Sequence, residues 1–238
     1  MENRIQLQPA YVLFSRPFQN TSLILDFFTI DYGRIRAIAR GARRQSSKYR
    51  SLLQPFHPLL IGYSGRGEVK TLGHVESSVA AITLKGGRLF SAIYLNEIIC
   101  RLLHNYVEHK SLYKKYQETL IALQGPGNLE VTLRTFELTL LSELGYAINF
   151  NEVHLTNKPI LKGELYKFSP YIGFELASHR DSEENAQNIF EGEVLIAIRE
   201  LKMEEDKVSK SAKRLLRIAL SSLLGDKPLN SRNLFGSL

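Results

Sequence analysis

Between Gly33 and Gly67 the chain has many arginines and lysines but no aspartate or glutamate. Five of the basic residues fall in the stretch ARGARRQSSKYR, residues 39–50, whose glycine and serines predict a flexible loop. Unbalanced positive charges repel one another in a folded chain, and they are typical of a segment that binds a polyanion such as nucleic acid. A solvated loop without a partner is the alternative, but most charge runs alternate in sign and this one does not.

The segments around these residues predict a small β-barrel. Five short runs rich in β-branched and aromatic residues, with glycine turns between them, predict strands at residues 10–15, 21–29, 34–40, 52–63 and 68–75. Residues 34–40 alternate, so positions 35, 37 and 39 share one face of the strand and positions 34, 36, 38 and 40 the other. Five strands and one long basic loop predict a barrel of the oligonucleotide-binding (OB) type, with an SH3-like barrel as the alternative.

After residue 80 the hydrophobic pattern changes to a helical period. Helices are predicted at residues 89–103, 111–124, 129–144, 192–203 and 209–224, and residues 149–180 predict an irregular or short β insertion. The fold class is therefore α+β, with an N-terminal small β-barrel (OB-fold) at residues 1–80 and an α-helical domain at residues 81–238.

Charge and composition separate the two predicted domains. The chain has a formal net charge of +7, nearly all of it in the first 80 residues, which predicts a basic binding module joined to a near-neutral body. A single cysteine excludes an intramolecular disulfide and any multi-cysteine zinc site. No signal peptide and no apolar run of about 18 residues is found, which predicts a soluble cytoplasmic protein.

Aromatic residues near the basic segment are candidates to stack on bases. Tyr49, between Lys48 and Arg50, is the strongest of them, and Phe27 and Phe28 are better explained as barrel core. The full set of candidates is Phe14, Phe18, Phe27, Phe28 and Tyr49.

A second positive surface is predicted on the helix at residues 209–224. Its basic residues Lys210, Lys213, Arg214 and Arg217 follow one another at spacings that favour one face, and its leucines at 216, 220 and 223 occupy another. Apolar residues beside arginines suit a short acidic-hydrophobic peptide tail, while a solvated helix face is the alternative. The candidate tail-binding residues are Arg134, Lys213, Arg214, Arg217, Leu216 and Leu220.

Nothing in the sequence indicates catalysis or a cofactor. No glycine-rich loop is followed by Lys-Ser/Thr, and the six histidines lack metal-ligand spacing. Cys100 lies in an apolar helix and is predicted to be buried and inert, and Glu97 to be a paired acid rather than a catalyst. The chain is therefore predicted not to be an enzyme.

Seven pieces of the chain resemble the bacterial RecO family of recombination mediators. They are SRPFQNTSLILDFFT, GRIRAIARGARR, LLQPF-HPLL, GRGEVKTL, LFSAIYLNEII, LRTFELTLLSELGY and AKRLLRIALSSLLGDKPLNSR. The resemblance implies an N-terminal OB fold and a helical domain that act in repair of single-strand gaps. It also implies binding to single- and double-stranded DNA, strand annealing, action with RecR, and indirect action on RecA, which is loaded onto DNA coated by single-strand-binding protein. The resemblance implies the acidic C-terminal tail of single-strand-binding protein as a further partner. It also implies a cytoplasmic, nucleoid-associated location.

The insertion at residues 149–180 departs from the zinc-binding members of this family. Some relatives have a four-cysteine zinc module there, whereas this chain has only His154 and His179. Structural zinc needs four nitrogen or sulfur ligands, so no zinc is predicted. The segment must then be held by packing, with the anchors expected to be Tyr166, Phe168, Tyr171 and Phe174.

The candidate DNA-binding residues come from the acid-free segment and one arginine before it. They are Arg16, Arg34, Arg36, Arg40, Arg43, Arg44, Lys48, Tyr49, Arg50 and Arg66. Two other functions remain open on the residues alone. One is an RNA-binding OB-fold protein, and the other is a protein–protein adaptor whose basic loop binds an acidic protein surface.

Overall fold

The computed structural model describes residues 4–77, 79–178 and 186–235. It consists of two compact units, and the chain leaves the first unit and later returns to it. The first unit contains the chain up to Pro126 together with the segment from Pro228 onward. The second unit is Gly127–Lys227.

The first unit is built around a closed five-stranded barrel. Its strands are β1 (Arg4–Phe18), β2 (Ser22–Thr29), β3 (Gly33–Ala39), β4 (Leu59–Ser64) and β5 (Val69–Ser77). They neighbour one another in the order β1-β2-β3-β5-β4, with β4 closing on β1 and with β3 and β5 parallel. This is the OB order, so the predicted barrel is confirmed.

Strand β2 is buried on both sides of the barrel wall, which explains its uninterrupted run of apolar residues. Leu25 and Phe27 face the barrel interior together with Ile35 of β3. Phe28 is equally buried, but its ring packs edge-on against Tyr113 at 5.4 Å. Both phenylalanines are therefore core residues, as predicted.

Helices α2 (Gly86–Leu102) and α3 (Lys110–Gln124) complete the first unit. Asn96 of α2 is buried and connects three elements, because its amide donates to the Leu13 carbonyl of β1 at 3.0 Å and accepts from the Tyr116 hydroxyl at 2.6 Å. At the barrel end, the loop between the helices passes so close to Gly33 (φ +59°) that an added Cβ would lie 1.7 Å from the Val107 carbonyl oxygen. Only glycine fits there.

The predicted strand at residues 52–63 is wrong in its first half. The chain forms a single helical turn, α1 (Tyr49–Leu52), and β4 begins only at Leu59. Pro55 and Pro58 have no amide hydrogen to give to a strand ladder, so the chain cannot pair regularly until it has passed them.

A segment beyond the second unit returns to helix α2. The carboxylate of Glu97 accepts hydrogen bonds from the backbone amides of Asn230 and Ser231, each at 2.8 Å, and from the Ser231 hydroxyl at 2.6 Å. Arg101 donates to the Pro228 carbonyl at 3.0 Å. Glu97 is thus a paired acid, as predicted, and it holds the start of the short helix α7 (Arg232–Phe235).

Replacing Glu97 with glutamine is expected to loosen this segment. Partial burial opposes ionisation, but the Ser231 and Asn230 hydrogen bonds and nearby Arg101 outweigh it and hold the pKa of Glu97 below its ordinary value. Hydrogen bonds to a charged acceptor contribute about 1.5–3 kcal/mol, so Glu97→Gln should expose the Asn230 and Ser231 amides to faster hydrogen exchange.

The wild-type protection should depend on pH, because the folded pKa of Glu97 is depressed. The stabilisation is present above the unfolded pKa of about 4.3 and is lost as pH falls through the lower folded pKa. Glu97→Gln should lack that step. Glu118→Gln on the exposed side of α3 is the matched control, and equal exchange at residues 230 and 231 in all three proteins would contradict the assignment.

The second unit packs helices against a small sheet. Its helices are α4 (Leu129–Glu143), α5 (Gly192–Arg199) and α6 (Asp206–Leu224), and its strands β6 (Leu165–Ser169), β7 (Gly173–Leu176) and β8 (Ile189–Glu191) are ordered β7-β6-β8. The predicted short β insertion is confirmed. None of the helices in the described residues is long and apolar enough to cross a membrane.

Three of the four predicted anchors of the insertion are buried, and one is not. Tyr166, Phe168 and Phe174 are at most 3% exposed. Tyr171 is 69% exposed, because it lies in the tight turn between β6 and β7 with φ +67°. Its hydroxyl donates to the Ser222 carbonyl at 3.0 Å, so it contacts α6 from the surface.

Candidate nucleic-acid interface

The basic loop, residues 40–50, lies at the end of β3 where the chain leaves the barrel. Arg40, Arg44 and Lys48 are exposed there. The strand register places Arg16 at the same end of the barrel. Arg16 of β1 lies beside Ile24 of β2, which lies beside Ile38 of β3. Arg40 is two residues beyond Ile38 and therefore on the same side of the strand. A positive surface therefore extends from β1 across the barrel wall to the loop.

Hydrogen bonds give the basic loop a defined path, and its predicted flexibility stays a prediction. The Arg43 amide donates to the Thr21 carbonyl at 2.8 Å, and its guanidinium reaches the Gln19 carbonyl of the β1–β2 turn at 3.3 Å. Successive turns are closed by the Arg44 amide to Gly41 at 3.1 Å and the Ser47 amide to Arg44 at 3.0 Å. These backbone hydrogen bonds, which sequence composition does not reveal, set the path of the main chain from which the charged side chains project.

The exposed cations of this surface have no acidic partner among the described residues. No carboxylate of residues 4–77, 79–178 or 186–235 forms an ion pair with any of them. Their mutual repulsion is therefore uncompensated within the described part of the protein, and phosphates could supply the missing charge. These cations are Arg16, Arg40, Arg43, Arg44, Lys48 and Arg50, and Arg66, which lies elsewhere on the barrel, likewise forms no such ion pair.

Two of the predicted DNA-binding arginines are used inside the protein. Arg36 forms a two-pronged ion pair with buried Asp26, directly opposite on β2, at 2.9 and 3.1 Å, and this hydrogen bonding raises the pKa of Arg36. Arg34 donates to the Asn105 side chain at 2.8 Å and to the Cys100 carbonyl. Arg36 thus joins β3 to β2, and Arg34 joins β3 to helix α2 and the segment after it, so both have a structural role.

Arg66 is exposed but lies apart from the basic loop. It is in the turn before β5, and β5 runs parallel to β3 with Val69 beside Arg36. Residues before Val69 therefore extend toward the start of β3, whereas the basic loop follows its end. A ligand must extend along the barrel to contact both.

The candidate aromatic residues differ in how free their rings are. Tyr49 is half-buried against the barrel core, and its hydroxyl donates to the Gly73 carbonyl of β5 at 2.8 Å, which favours a structural role for its outer end. Phe14 is 55% exposed, and Phe18 is half-buried.

A cleft of about 430 Å³ lies beneath the basic loop. Leu23, Ala42 and Leu53 give it an apolar floor, and Arg43 and Arg50 belong to its rim. The remaining lining residues are Gln45, Tyr49 and Gln54. The glutamines and the floor leucines were not predicted, because nothing in the local sequence indicates that residues 23, 45 and 53 meet.

Two family models together match almost the whole chain. One, described as the N-terminal part of recombination protein O, matches residues 1–79, and one described as its C-terminal part matches residues 85–233. The chain belongs to the RecO family. The resemblance in the sequence is thereby confirmed.

Curated members of the RecO family are similar along their full length. Proteins named DNA repair protein RecO are 41% identical in Coxiella burnetii over 98% of this chain and 99% of the relative, and 37% identical in Haemophilus influenzae over 97% and 95%. A relative of the same name in Salmonella dublin is 41% identical over 96% of this chain and 93% of its own. The family models divide the chain near residue 80, whereas its compact units divide after Pro126, so the predicted domain boundary stays a prediction.

In the second unit of this RecO family member, Arg134 is 6% exposed and belongs to a buried ion cluster. Its guanidinium contacts Glu137, which is fully buried, at 2.8 Å, and Glu130 at 3.6 Å. Lys213 of α6 contacts the other oxygen of Glu130 at 3.0 Å. The predicted peptide-binding residue Arg134 is therefore held inside the unit.

The other tail-binding candidates divide between core and surface. Leu216 and Leu220 are at most 2% exposed and belong to the core, so neither can line an exposed groove. Arg214 lies over the Phe190 ring at 4.4 Å and donates to the Ile189 carbonyl at 2.6 Å. Arg217 is exposed on α6 and forms no ion pair with a described residue.

An apolar cleft of about 340 Å³ lies beside the same helix. Leu223 of α6 lines it opposite Pro170 and Ile172 of the β6–β7 turn. The helical pattern of α6 predicted that Leu216, Leu220 and Leu223 share a face. It could not predict that the β6–β7 turn would form a cleft with Leu223.

Two observations on the described residues concern the predicted lack of catalysis, which itself stays a prediction. Cys100 is half-buried rather than fully buried, and desolvation raises the pKa of its thiol to about 12, which favours the protonated form at neutral pH. Its predicted lack of reactivity stays a prediction. Among the described residues no three His, Cys, Asp or Glu side chains gather as metal ligands. His179, one of the two histidines in the insertion, lies outside the described residues, so the absence of zinc stays a prediction.

Proposed function

We propose that this chain is a non-enzymatic, DNA-binding mediator of recombinational repair. The observation that supports it is the acid-free basic surface at one end of an OB barrel in a RecO family member. The surface binds the phosphates of single- and double-stranded DNA without reading bases, because exposed arginines and lysines contact a backbone that is the same in every sequence.

Annealing follows from the same electrostatics. Two complementary strands repel each other through their phosphates, and a surface that neutralises part of one strand lowers the cost of bringing up the second. The basic loop is suited to this role, because hydrogen bonds give its main chain a defined path and several cations project from it close together. RecA loading and the contact with RecR are part of the same proposal, in a cytoplasmic, nucleoid-associated protein.

The second unit is proposed to bind the acidic C-terminal tail of single-strand-binding protein. Arg217 supplies an exposed cation, and the cleft beside Leu223 offers an apolar surface on the same helix. Leu216 and Leu220 support α6 from the core rather than touch the peptide.

A salt-varied titration of fluorescent single-stranded and duplex DNA tests the proposal. Six cations around the basic loop, each releasing about 0.7 counterions per single-strand contact and 0.9 per duplex contact, predict log–log slopes of about −4 and −5. Binding should therefore weaken more than a hundredfold between 50 and 200 mM salt.

Two results would contradict the proposal, and each points to one of the other functions. Much tighter binding to RNA than to DNA of equal length and sequence indicates an RNA-binding protein. No binding to either nucleic acid near physiological salt indicates an adaptor that recognises an acidic protein surface.

A further inference from the structure

The cleft beneath the basic loop differs chemically from the rest of the positive surface. Its floor is apolar, with Ala42 and Leu53 at most 2% exposed and Leu23 half-buried. Phosphate groups are strongly hydrated and gain nothing from such a floor. A ligand of the whole cleft must therefore have a flat or apolar part as well as negative charge.

The walls of the cleft are held in place without a ligand. Tyr49 is held at its backbone and at the tip of its ring, because its backbone amide donates to the Ser47 hydroxyl at 3.3 Å and its phenol hydroxyl donates to the Gly73 carbonyl at 2.8 Å. The Leu53 amide donates to the Tyr49 carbonyl at 2.9 Å. A preformed cavity of this kind binds a ligand with little loss of conformational entropy in its walls.

Two amide side chains supply hydrogen bonds at the cleft. Gln54 donates its amide NH2 to the Arg50 carbonyl at 2.8 Å, which directs that group toward α1 and leaves its oxygen to accept. Gln45 is exposed at the cleft and can both donate and accept. Amides of this kind can pair with the edge of any nucleobase.

Charge decides between the possible ligands. The lining contains two arginines, Arg43 and Arg50, and no carboxylate. A flat group flanked by negative charges on both sides fits this arrangement, and one unstacked nucleobase with its neighbouring phosphates has that chemistry.

We propose that the cleft takes one nucleobase of a single DNA strand, with Arg43 and Arg50 on the flanking phosphates. This inference rests on the proposed DNA binding and adds to it a preference for single strands. A base in the cleft is removed from its stack and cannot pair. A duplex can therefore use the cleft only if one base is flipped out, which costs the unstacking and unpairing energy of that base. The base must also leave the cleft before annealing is complete.

Binding of two strands with equal charge tests the proposal. One is an oligothymidine, and the other is a deoxyribose-phosphate strand of the same length without bases. Base–aromatic stacking and apolar burial predict that wild type binds the base-free strand roughly tenfold more weakly, with the same salt slope.

Variants of the cleft separate it from base contacts elsewhere. Leu23→Trp, which fills the cavity, and Gln45→Ala/Gln54→Ala, which removes its amides, should each bind oligothymidine several-fold more weakly than wild type. Neither should change binding of the base-free strand. Gln124→Ala, an exposed glutamine at the end of α3, is the matched control and should bind both strands as wild type does. The glutamine variant changes only exposed side chains, so it decides the question even if Leu23→Trp does not fold.

Each remaining outcome is informative. If wild type binds both strands equally, or if the variants keep the full difference between them, no base enters the cleft, while the proposed DNA binding stands. If wild type binds neither strand, the proposed function itself is wrong. Displacement of oligothymidine from wild type, but not from Gln45→Ala/Gln54→Ala, by an acidic peptide would assign the cleft to a protein ligand instead.

Discussion

Replacing Arg40, Arg43, Arg44 and Lys48 with alanine is expected to weaken single-stranded DNA binding on the order of a hundredfold at low salt. All four side chains are exposed and form no ion pair with a described acid, so their removal costs the folded barrel little. The log–log salt slope should become shallower by about 3, because each lost phosphate contact removes about 0.7 from it. Anisotropy titrations at three or more salt concentrations measure both effects.

A charge-matched variant is the control for this result. Replacing Lys114, Lys162, Lys202 and Lys210 with alanine removes four charges from exposed positions outside the barrel. If general electrostatic attraction explained the binding, both variants would lose affinity equally. An unchanged affinity in the barrel variant would remove the basic loop from the DNA-binding site.

Replacing Arg134 with alanine is expected to destabilise the second unit by about 3–5 kcal/mol. The substitution takes the guanidinium away from the fully buried Glu137 carboxylate, which then loses the opposite charge at 2.8 Å. Thermal or urea unfolding measures the change in free energy. Arg134→Met/Glu137→Met removes both charges and should recover much of the stability, since an apolar pair of similar volume needs no compensation.

Replacing Arg217 of helix α6 with alanine is expected to affect peptide binding without changing the stability of the second unit. Arg217 is exposed, so its replacement should leave the unfolding free energy within about 0.5 kcal/mol of wild type. Binding of a peptide with the acidic tail's chemistry should weaken in Arg217→Ala if α6 meets the tail. An Arg134→Ala protein that unfolds like wild type would show that the ion cluster does not support the fold.

The sequence predicted the barrel well because β-strand patterns are local. Alternation in β3 predicted correctly that Ile35, Ala37 and Ala39 share one face, and in the structure that face is buried in the barrel core. The same pattern said nothing about what covers the outer face. Arg36 is opposite Asp26 and Arg34 reaches Asn105, partners that lie 10 and 71 residues away in the chain. A count of charges along the sequence cannot show that such arginines are paired, because their partners are distant in the chain.

The second unit shows the same limit for helices. The period of α6 placed Leu216 and Leu220 together correctly, but whether that face meets a partner or the protein's own core depends on α4 and the small sheet. Tyr171 was predicted as an anchor because aromatic residues are usually buried, yet its position in a turn exposes it. The path of the basic loop likewise depends on hydrogen bonds from the Arg43 amide to Thr21 and from its guanidinium to Gln19, which composition cannot show.

The contact between Glu97 and residues 230–231 determines when the first unit can be completed during synthesis. The ribosome makes the barrel and helices α2 and α3 first, then the hundred or so residues of the second unit, and only afterwards the segment that Glu97 binds. At roughly 5–20 residues per second, the exposed side of α2 waits about 5 to 20 seconds for its covering segment. The first unit is thus the first to be synthesised and the last to receive all of its residues.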